Sequence, residues 1–149
     1  KMEQILIQET NFEKARKLIK ENSGKKIIFS SNDDELNRKI LEKENIDILL
    51  LNQSGKRDFH RQRDSGFNHV LAKLAKKKDI TIGINLDELI NSTEKEKSAI
   101  LARIKQNVAI CNKNKLKMKF ISKNNKRDIL DLKSLGLVLG MPTNMIKEL

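Results

Sequence analysis

Short apolar runs alternate along this chain with stretches in which apolar residues recur every three or four positions. The runs predict β-strands, and the periodic stretches predict amphipathic α-helices. The predicted strands are residues 5–7, 26–29, 46–51, 80–84, 117–121 and 137–139. The predicted helices are residues 11–21, 33–43, 66–77, 86–90, a long helix that opens at 93–96, 128–132 and 142–147. Strands and helices in this order predict an α/β fold.

The predicted strand at residues 46–51 is nonpolar almost throughout, which is typical of a parallel strand covered on both faces, whereas residues 117–121 alternate. About six parallel strands fit two architectures: an open doubly wound sheet, or a TIM-barrel-like, short and incomplete (β/α) barrel. A regular eight-unit barrel typically takes about 250 residues, and this chain has 149. It has one proline and no linker-like stretch, so residues 1–149 are expected to form a single domain.

Residues 61–77 combine a basic loop with the signals of a helix start. Asp64 and Ser65 are good N-cap residues for the predicted helix 66–77. Its apolar residues at helical spacing are expected to be buried; they are Phe67, Val70, Leu71 and Leu74. The opposite, polar face carries His69, Lys73, Lys76 and Lys77. One side of this helix is therefore apolar and the other is cationic.

Other helix ends carry local signals as well. Ser31 or Asn32 is expected to cap the helix at 33–43. Thr93 and Glu96 have the spacing of a capping box. Pro142 suits the first turn of the last helix.

Charge is distributed unevenly along the chain. There are 31 Lys and Arg residues against 20 Asp and Glu, a net charge of +11. The first basic segment, residues 55–78, contributes +6; the second, residues 103–127, contributes +9 and contains no acid. Two such segments in an otherwise mildly acidic chain indicate a polyanionic partner, above all nucleic acid. The alternative is two solvated charged faces that bind nothing.

Cysteine content and hydropathy indicate the compartment. A single cysteine excludes an internal disulfide, and Cys111 lies in a helical pattern near Ile104 and Val108, so it is expected in the core. No apolar run approaches the length of a membrane span, and no signal peptide is visible. We therefore expect a cytoplasmic protein that has no membrane partner.

Motifs for catalysis are missing from the sequence. It contains no Gly-x-Ser-x-Gly, no Gly-x-x-x-x-Gly-Lys-Ser/Thr and no Gly-x-Gly-x-x-Gly. Its two histidines, His60 and His69, do not have metal-ligand spacing, and His60 is expected in an exposed loop. The sequence therefore favours binding over catalysis, with no catalytic residue and no metal ligand.

Aromatic content narrows the mode of binding. Trp and Tyr are absent, and among the five Phe residues only Phe59, in the basic loop, is a candidate for stacking on a base. A surface that grips the backbone of a folded or helical RNA fits better, and composition also leaves double-stranded DNA open.

Residues 63–75, with the sequence RDSGFNHVLAKLA, resemble the signature of ribonuclease P protein component 3, the archaeal relative of the eukaryotic thirty-kilodalton ribonuclease P subunit. The similarity extends roughly over residues 45–141. It includes the stretches DILLL at 47–51, ITIGINLDELI at 80–90, RDILDL at 127–132 and LGLVLGM at 135–141.

The resemblance implies a barrel-like α/β fold and a non-catalytic subunit of the endoribonuclease ribonuclease P, whose RNA component removes the 5′ leader of precursor tRNA. Its implied partners are ribonuclease P RNA, a Pop5-type protein and other ribonuclease P proteins, with precursor tRNA bound through the holoenzyme. No cofactor is expected on the protein itself, and Mg²⁺ is expected for the RNA-catalysed reaction.

By matching position, the resemblance implies RNA contact for Arg61, Arg63, Ser65, His69 and Lys73. From charge alone we add Lys56, Arg57, Lys76, Lys77, Lys113, Lys115, Lys117, Lys119 and Lys123. Two other hypotheses stay open: a metal-dependent phosphoesterase on a related barrel, and a generic nucleic-acid-binding accessory protein.

Overall fold

The computed structural model describes residues 3–56 and 64–149. Five strands in these ranges form one parallel sheet in the order β1-β2-β3-β4-β5. The strands are β1 (Gln4–Gln8), β2 (Lys26–Ser30), β3 (Ile48–Leu51), β4 (Thr81–Asn85) and β5 (Met118–Ile121). The helices are α1 (Phe12–Glu21), α2 (Asp34–Lys43), α3 (His69–Lys77), α4 (Leu86–Asn91), α5 (Glu94–Lys113), α6 (Ile129–Val138) and α7 (Thr143–Ile146).

The strand order decides between the two predicted architectures. A doubly wound sheet reverses direction at a switch point, and this sheet does not reverse. Right-handed crossovers between successive parallel strands place the connecting helices on a single face. The fold is therefore an α/β, TIM-barrel-like partial barrel, as predicted, and the doubly wound alternative is wrong.

The two faces of the sheet are buried in different ways. Leu49 and Leu51 join the large cluster formed with the helices, whereas Ile48 and Leu50 join a smaller cluster on the other face. This alternation follows from the period of two along a strand. On that second face a Cβ at Gly83 would lie 3.0 Å from Ile48 Cγ2, so the close approach of the neighbouring side chains requires glycine.

The sixth predicted strand, residues 137–139, is wrong. These residues form the end of α6 and its C-cap, so the helix predicted at 128–132 continues to Val138. Gly136, near the end of α6, is buried, and a Cβ there would be 3.1 Å from Met141 Sδ. A run of three apolar residues is too short to show a period that would separate a strand from a turn of helix.

The start of α3 also differs from the prediction. The N-cap is Asn68, whose Oδ1 accepts from Leu71 N at 3.0 Å, instead of Asp64 or Ser65. Gly66, with φ +71°, is in the left-handed region, so the helix does not extend through it. The later start changes the helical phase. Val70 is 61% exposed instead of buried, and the buried stripe consists of Leu71, Ala72 and Ala75.

Other local predictions have mixed outcomes. Asp33 caps α2, in place of Ser31 or Asn32, because its side chain accepts from the first-turn amides. The predicted cap of α5 is confirmed, since Thr93 Oγ1 accepts from the backbone N of Glu96. Pro142 is the N-cap of α7, one position before the predicted first turn.

Cys111 is fully buried, as predicted. Burial raises the pKa of its thiol to about 12, so this cysteine is protonated at neutral pH and packs as a small apolar side chain. Among the helices of residues 3–56 and 64–149, none is long and apolar enough to cross a bilayer.

Candidate nucleic-acid interface

The polar face of α3 lies beside the end of α5. His69 Nδ1 is 3.0 Å from Nδ2 of Asn114, the C-cap residue of α5. Lys76 Nζ donates to the backbone oxygen of Lys115 at 3.1 Å. These contacts bring parts of the two basic segments together, although some 40 residues separate them in the chain.

We call the resulting patch the α3–α5 basic surface. It consists of His69, Lys73, Lys76, Lys77, Lys113 and Lys115, all of them exposed. Within the described ranges none of the five lysines forms an ion pair. Their charges are therefore available to an anionic partner. By contrast, the neighbouring Lys78 donates to the backbone oxygens of Glu42 and Glu44.

Helix geometry explains part of this cluster. Both α3 and α5 end with a residue in the left-handed region, Asp79 (φ 56°) and Lys115 (φ 57°). Basic residues in a last turn stabilise the negative end of the helix macrodipole, which accounts for Lys76, Lys77 and Lys113. Lys73 lies in the middle of α3, where the macrodipole does not require a cation. The surface is thus more extensive than helix stability demands.

Two of the residues predicted to contact RNA make contacts within the protein. Lys56, whose side chain is 14% exposed, places Nζ 3.0 Å from Asp34 Oδ1. Ser65 is 1% exposed, and its Oγ donates to the backbone oxygen of Phe67. Because Ser65 is buried and the Lys56 ammonium is paired with Asp34, we leave both out of the candidate interface. Arg57, Arg61 and Arg63, with His60 and Phe59, lie outside the described residues.

The second basic segment does not form one surface. Arg103 is buried, and Lys119 lies between Met118 and Phe120 on β5, so it belongs to the face of the sheet opposite the helices. Lys117 remains exposed, with Nζ 3.6 Å from Glu148 Oε2. Of this segment, only its middle part joins the α3–α5 basic surface.

Asp87 organises the loop around Lys123, at the end of β5. It accepts hydrogen bonds from Ser122 Oγ (2.6 Å), Lys123 N (2.9 Å) and Asn125 Nδ2 (3.0 Å). Burial raises the pKa of Asp87, but the hydrogen bonds from these residues and from Asn124 N outweigh burial and lower the pKa from 3.8 to about 2. These bonds fix the backbone of the loop at Lys123 N, whereas the Lys123 side chain is exposed.

Sequence reasoning missed Asn114, which joins the two helices of the surface. It also missed Gln53, Glu88 and Arg103, which hold the chain on either side of residues 57–63. An Asn at a predicted helix end is a weak signal for a cap. Gln53, Glu88 and Arg103 carry no signal in the neighbouring sequence, because the groups that they contact are distant in the chain.

The described residues contain no group of three or more His, Cys, Asp or Glu side chains that could hold a metal ion. A metal-dependent phosphoesterase needs several such ligands at one site. The part of the chain that the structure describes therefore offers no support for that hypothesis.

No protein-family model matches the chain. Curated proteins named ribonuclease P protein component 3 do match it. One from Methanococcus vannielii is 27% identical over 92 residues, which cover 62% of this chain and 37% of that protein. One from Methanococcus maripaludis strain C7 is 26% identical with the same coverage. The chain is thus similar in sequence to members of the ribonuclease P protein component 3 family. It spans 37% of the length of these relatives.

A solved structure supports the same relationship at the level of the fold. A chain in a cryo-EM structure of archaeal ribonuclease P with mature tRNA superposes with a TM-score of 0.81 at 22% identity. The match covers 97% of this chain and 62% of that one. The component 3 resemblance and the partial-barrel fold are thus both confirmed.

Proposed function

We propose that this protein is an RNA-binding subunit of ribonuclease P and supports the catalytic RNA in removing the 5′ leader from precursor tRNA. The observation that carries the proposal is the α3–α5 basic surface, in which two distant basic segments meet beside the stretch that resembles component 3. The names of the relatives, and the ribonuclease P complex that contains the matching fold, supply the biological setting.

The chemistry of the surface suits an RNA backbone. Lysine ammonium groups bind phosphates as point charges and displace condensed counterions, which gives affinity without base recognition. His69 adds a ring whose Nδ1 faces Asn114, so Nε2 is the nitrogen left for a phosphate or a base edge. In this proposal Arg57, Arg61 and Arg63 extend the RNA contacts.

Cleavage itself belongs to the RNA in this proposal. The protein's contribution is electrostatic, because neutralised phosphates allow RNA helices to approach one another at lower Mg²⁺. The Mg²⁺ of the reaction is bound by the RNA, and no cofactor is assigned to the protein. Pairing with a Pop5-type protein, and with other ribonuclease P proteins, is proposed from the resemblance. A cytoplasmic location is proposed on the same basis.

Reconstitution tests the proposal. Precursor-tRNA cleavage is measured at moderate Mg²⁺ with the cognate RNA and the Pop5-type protein, with and without this chain. We expect activity to require the RNA and to rise when the chain is added, while the proteins alone cleave nothing. Absence of any effect of the chain, or cleavage without RNA, would contradict the assignment.

A competition assay separates this proposal from a generic nucleic-acid-binding role. Labelled ribonuclease P RNA is bound to the protein and challenged with unlabelled structured RNA or with duplex DNA of equal phosphate content. An RNA-binding protein subunit of ribonuclease P is expected to prefer the structured RNA. Equal competition by both would favour the generic accessory protein.

A further inference from the structure

Buried and half-buried polar side chains hold the chain on both sides of residues 57–63, which contain Arg57, Arg61 and Arg63. On the first side, the carboxylate of Glu88 in α4 accepts from the backbone N of Gln53 at 2.7 Å and of Ser54 at 2.9 Å. Two short bonds to one carboxylate fix the direction in which the chain leaves β3.

Arg103 of α5 holds the same stretch from inside the protein. It is 5% exposed, and its guanidinium donates to the backbone oxygen of Lys56 at 2.9 Å and to that of Gln53 at 3.4 Å. Burial of an arginine is costly unless its donors are satisfied. A buried arginine that binds backbone oxygens at residues 53 and 56 therefore fixes the path of this turn.

Side-chain hydrogen bonds join the residues that follow residues 57–63 to those that precede them. Gln53 Nε2 donates to the backbone oxygen of Ser65 at 3.0 Å, and Gln106 Nε2 lies 3.4 Å from Ser65 Oγ. Gly66 lies against the Lys56 side chain, because a Cβ at this glycine would be 3.0 Å from Lys56 Nζ. The two described flanks, residues 53–56 and 64–66, are thus joined by hydrogen bonds and serve as anchor points for residues 57–63.

We infer that Arg103 is a positioning residue for RNA binding. Together with Glu88, Gln53 and Gln106 it forms what we call the flank clasp. These four side chains fix residues 53–56 and 64–66, the two anchor points of residues 57–63, relative to the α3–α5 basic surface. The inference rests on the proposed function. Because the anchor points are fixed, less conformational entropy is lost when an RNA binds the arginines of residues 57–63 and the α3–α5 basic surface at the same time. Arg103 contributes to RNA affinity although it is buried and touches no phosphate.

The test is a double-mutant cycle between Arg103→Gln and the triple variant R57A/R61A/R63A, with ribonuclease P RNA as the probe. We expect Arg103→Gln to weaken binding about tenfold, to lower the salt slope, and to add little on top of the triple variant. Arg16→Gln is the control, because it also removes one positive charge, from an exposed arginine that pairs with Glu44. It is expected to change affinity less than twofold.

Hydrogen exchange supplies a readout that does not depend on RNA. Arg103→Gln is expected to speed amide exchange at residues 53–56 and 64–66 and to leave the amides of β1 and β2 protected. Arg103→Lys keeps the charge and one donor, so it should restore part of the affinity. If Arg103→Gln does not fold, Glu88→Gln weakens the clasp from a half-buried position and enters the same cycle.

Fully additive losses, or exchange that speeds up uniformly, would make Arg103 a purely structural residue and overturn the inference. Unchanged exchange at the two flanks would also overturn it while leaving the proposed function intact. Failure of the wild-type protein to bind the RNA would instead overturn the proposed function and the inference together.

Discussion

The two basic segments are both strongly cationic, but they occupy different places in the fold. In the first, Lys73, Lys76 and Lys77 lie exposed on one face of a short helix. In the second, the cations separate: Arg103 is buried, Lys119 lies on the opposite face of the sheet, and only the end of α5 joins the first segment. Linear charge density was higher in the second segment, yet the first contributes more of the α3–α5 basic surface.

The difference lies in the secondary structure that carries each segment. A helix whose apolar stripe is buried presents its remaining side chains to one side, so its lysines cluster. A helix end, a strand and a loop in succession send their side chains in different directions, because a strand alternates its faces at each residue. A cationic run is therefore stronger evidence for a binding surface where a single element displays it.

The largest expected effect separates the two segments directly. The variant K73A/K76A/K115A removes three charges from the α3–α5 basic surface. We expect it to weaken binding to ribonuclease P RNA about 100-fold, or about 2.7 kcal/mol, and to lower the salt slope by about 2 to 3. The matched control K119A/K123A/K126A removes three charges from the second segment outside that surface. Affinity is measured by filter binding over a range of salt concentrations.

Equal losses in these two variants would show that net charge alone governs binding, and the comparison would fail. A loss with K73A/K76A/K115A but not with the control would place the phosphates along α3 and the end of α5. Thermal unfolding of both variants checks that neither result comes from a damaged fold.

Much of the fold was predictable because the signals are local. All five strands and the helices between them were expected within a few residues, since apolar runs and helical periods are read over short windows. The errors occurred where an apolar run was too short to show a period, or where the helical period of apolar residues was interrupted. Residues 137–139 are three apolar residues inside a helix, and Gly66 shifted the start of α3 so that Val70 became exposed.

The candidate site was predictable only in part. Exposure of Lys73 and Lys76 follows from the helical period, and the structure agrees. Burial of Ser65 does not follow from it, because that burial depends on Gln53 and Gln106, which lie 12 and 41 positions away. The meeting of α3 with the end of α5 is likewise a tertiary event with no local signal.

Gly66→Ala is expected to have the next largest effect, on the free energy of unfolding. It tests how the backbone conformation and the contacts of Gly66 stabilise the first basic segment. With φ at +71°, an alanine costs about 1–2 kcal/mol, and its Cβ would lie 2.8 Å from Asp34 Oδ1. Gly55→Ala is the matched control, with φ +75° and no neighbouring atom within 4 Å of the added Cβ. Chemical denaturation measures both. A larger loss at Gly66 isolates the contact with Asp34 and Lys56, whereas equal losses would show that backbone strain alone matters.

The smallest expected effect concerns Asp87, which orders the loop of the second segment. Asp87→Asn removes the charged acceptor and is expected to destabilise the protein by about 1 kcal/mol at neutral pH. Because the pKa of Asp87 in the folded protein, about 2, lies below the ordinary 3.8, its stabilisation is present above about pH 4 and is lost as the pH falls towards 2. The stability difference between wild type and variant should therefore shrink over this interval, as urea denaturation at a series of pH values would show.

The same variant sharpens the contrast between the segments. If the loop at Lys123 takes no part in RNA binding, Asp87→Asn loosens it without changing RNA affinity at pH 7, because the lysines on α3 and at the end of α5 are untouched. A rise in affinity would mean that Asp87 had been masking Lys123 electrostatically, and that the second segment holds a further phosphate site. A stability difference that stays constant from pH 7 to pH 2 would contradict the lowered pKa and the hydrogen-bonding role assigned to this carboxylate.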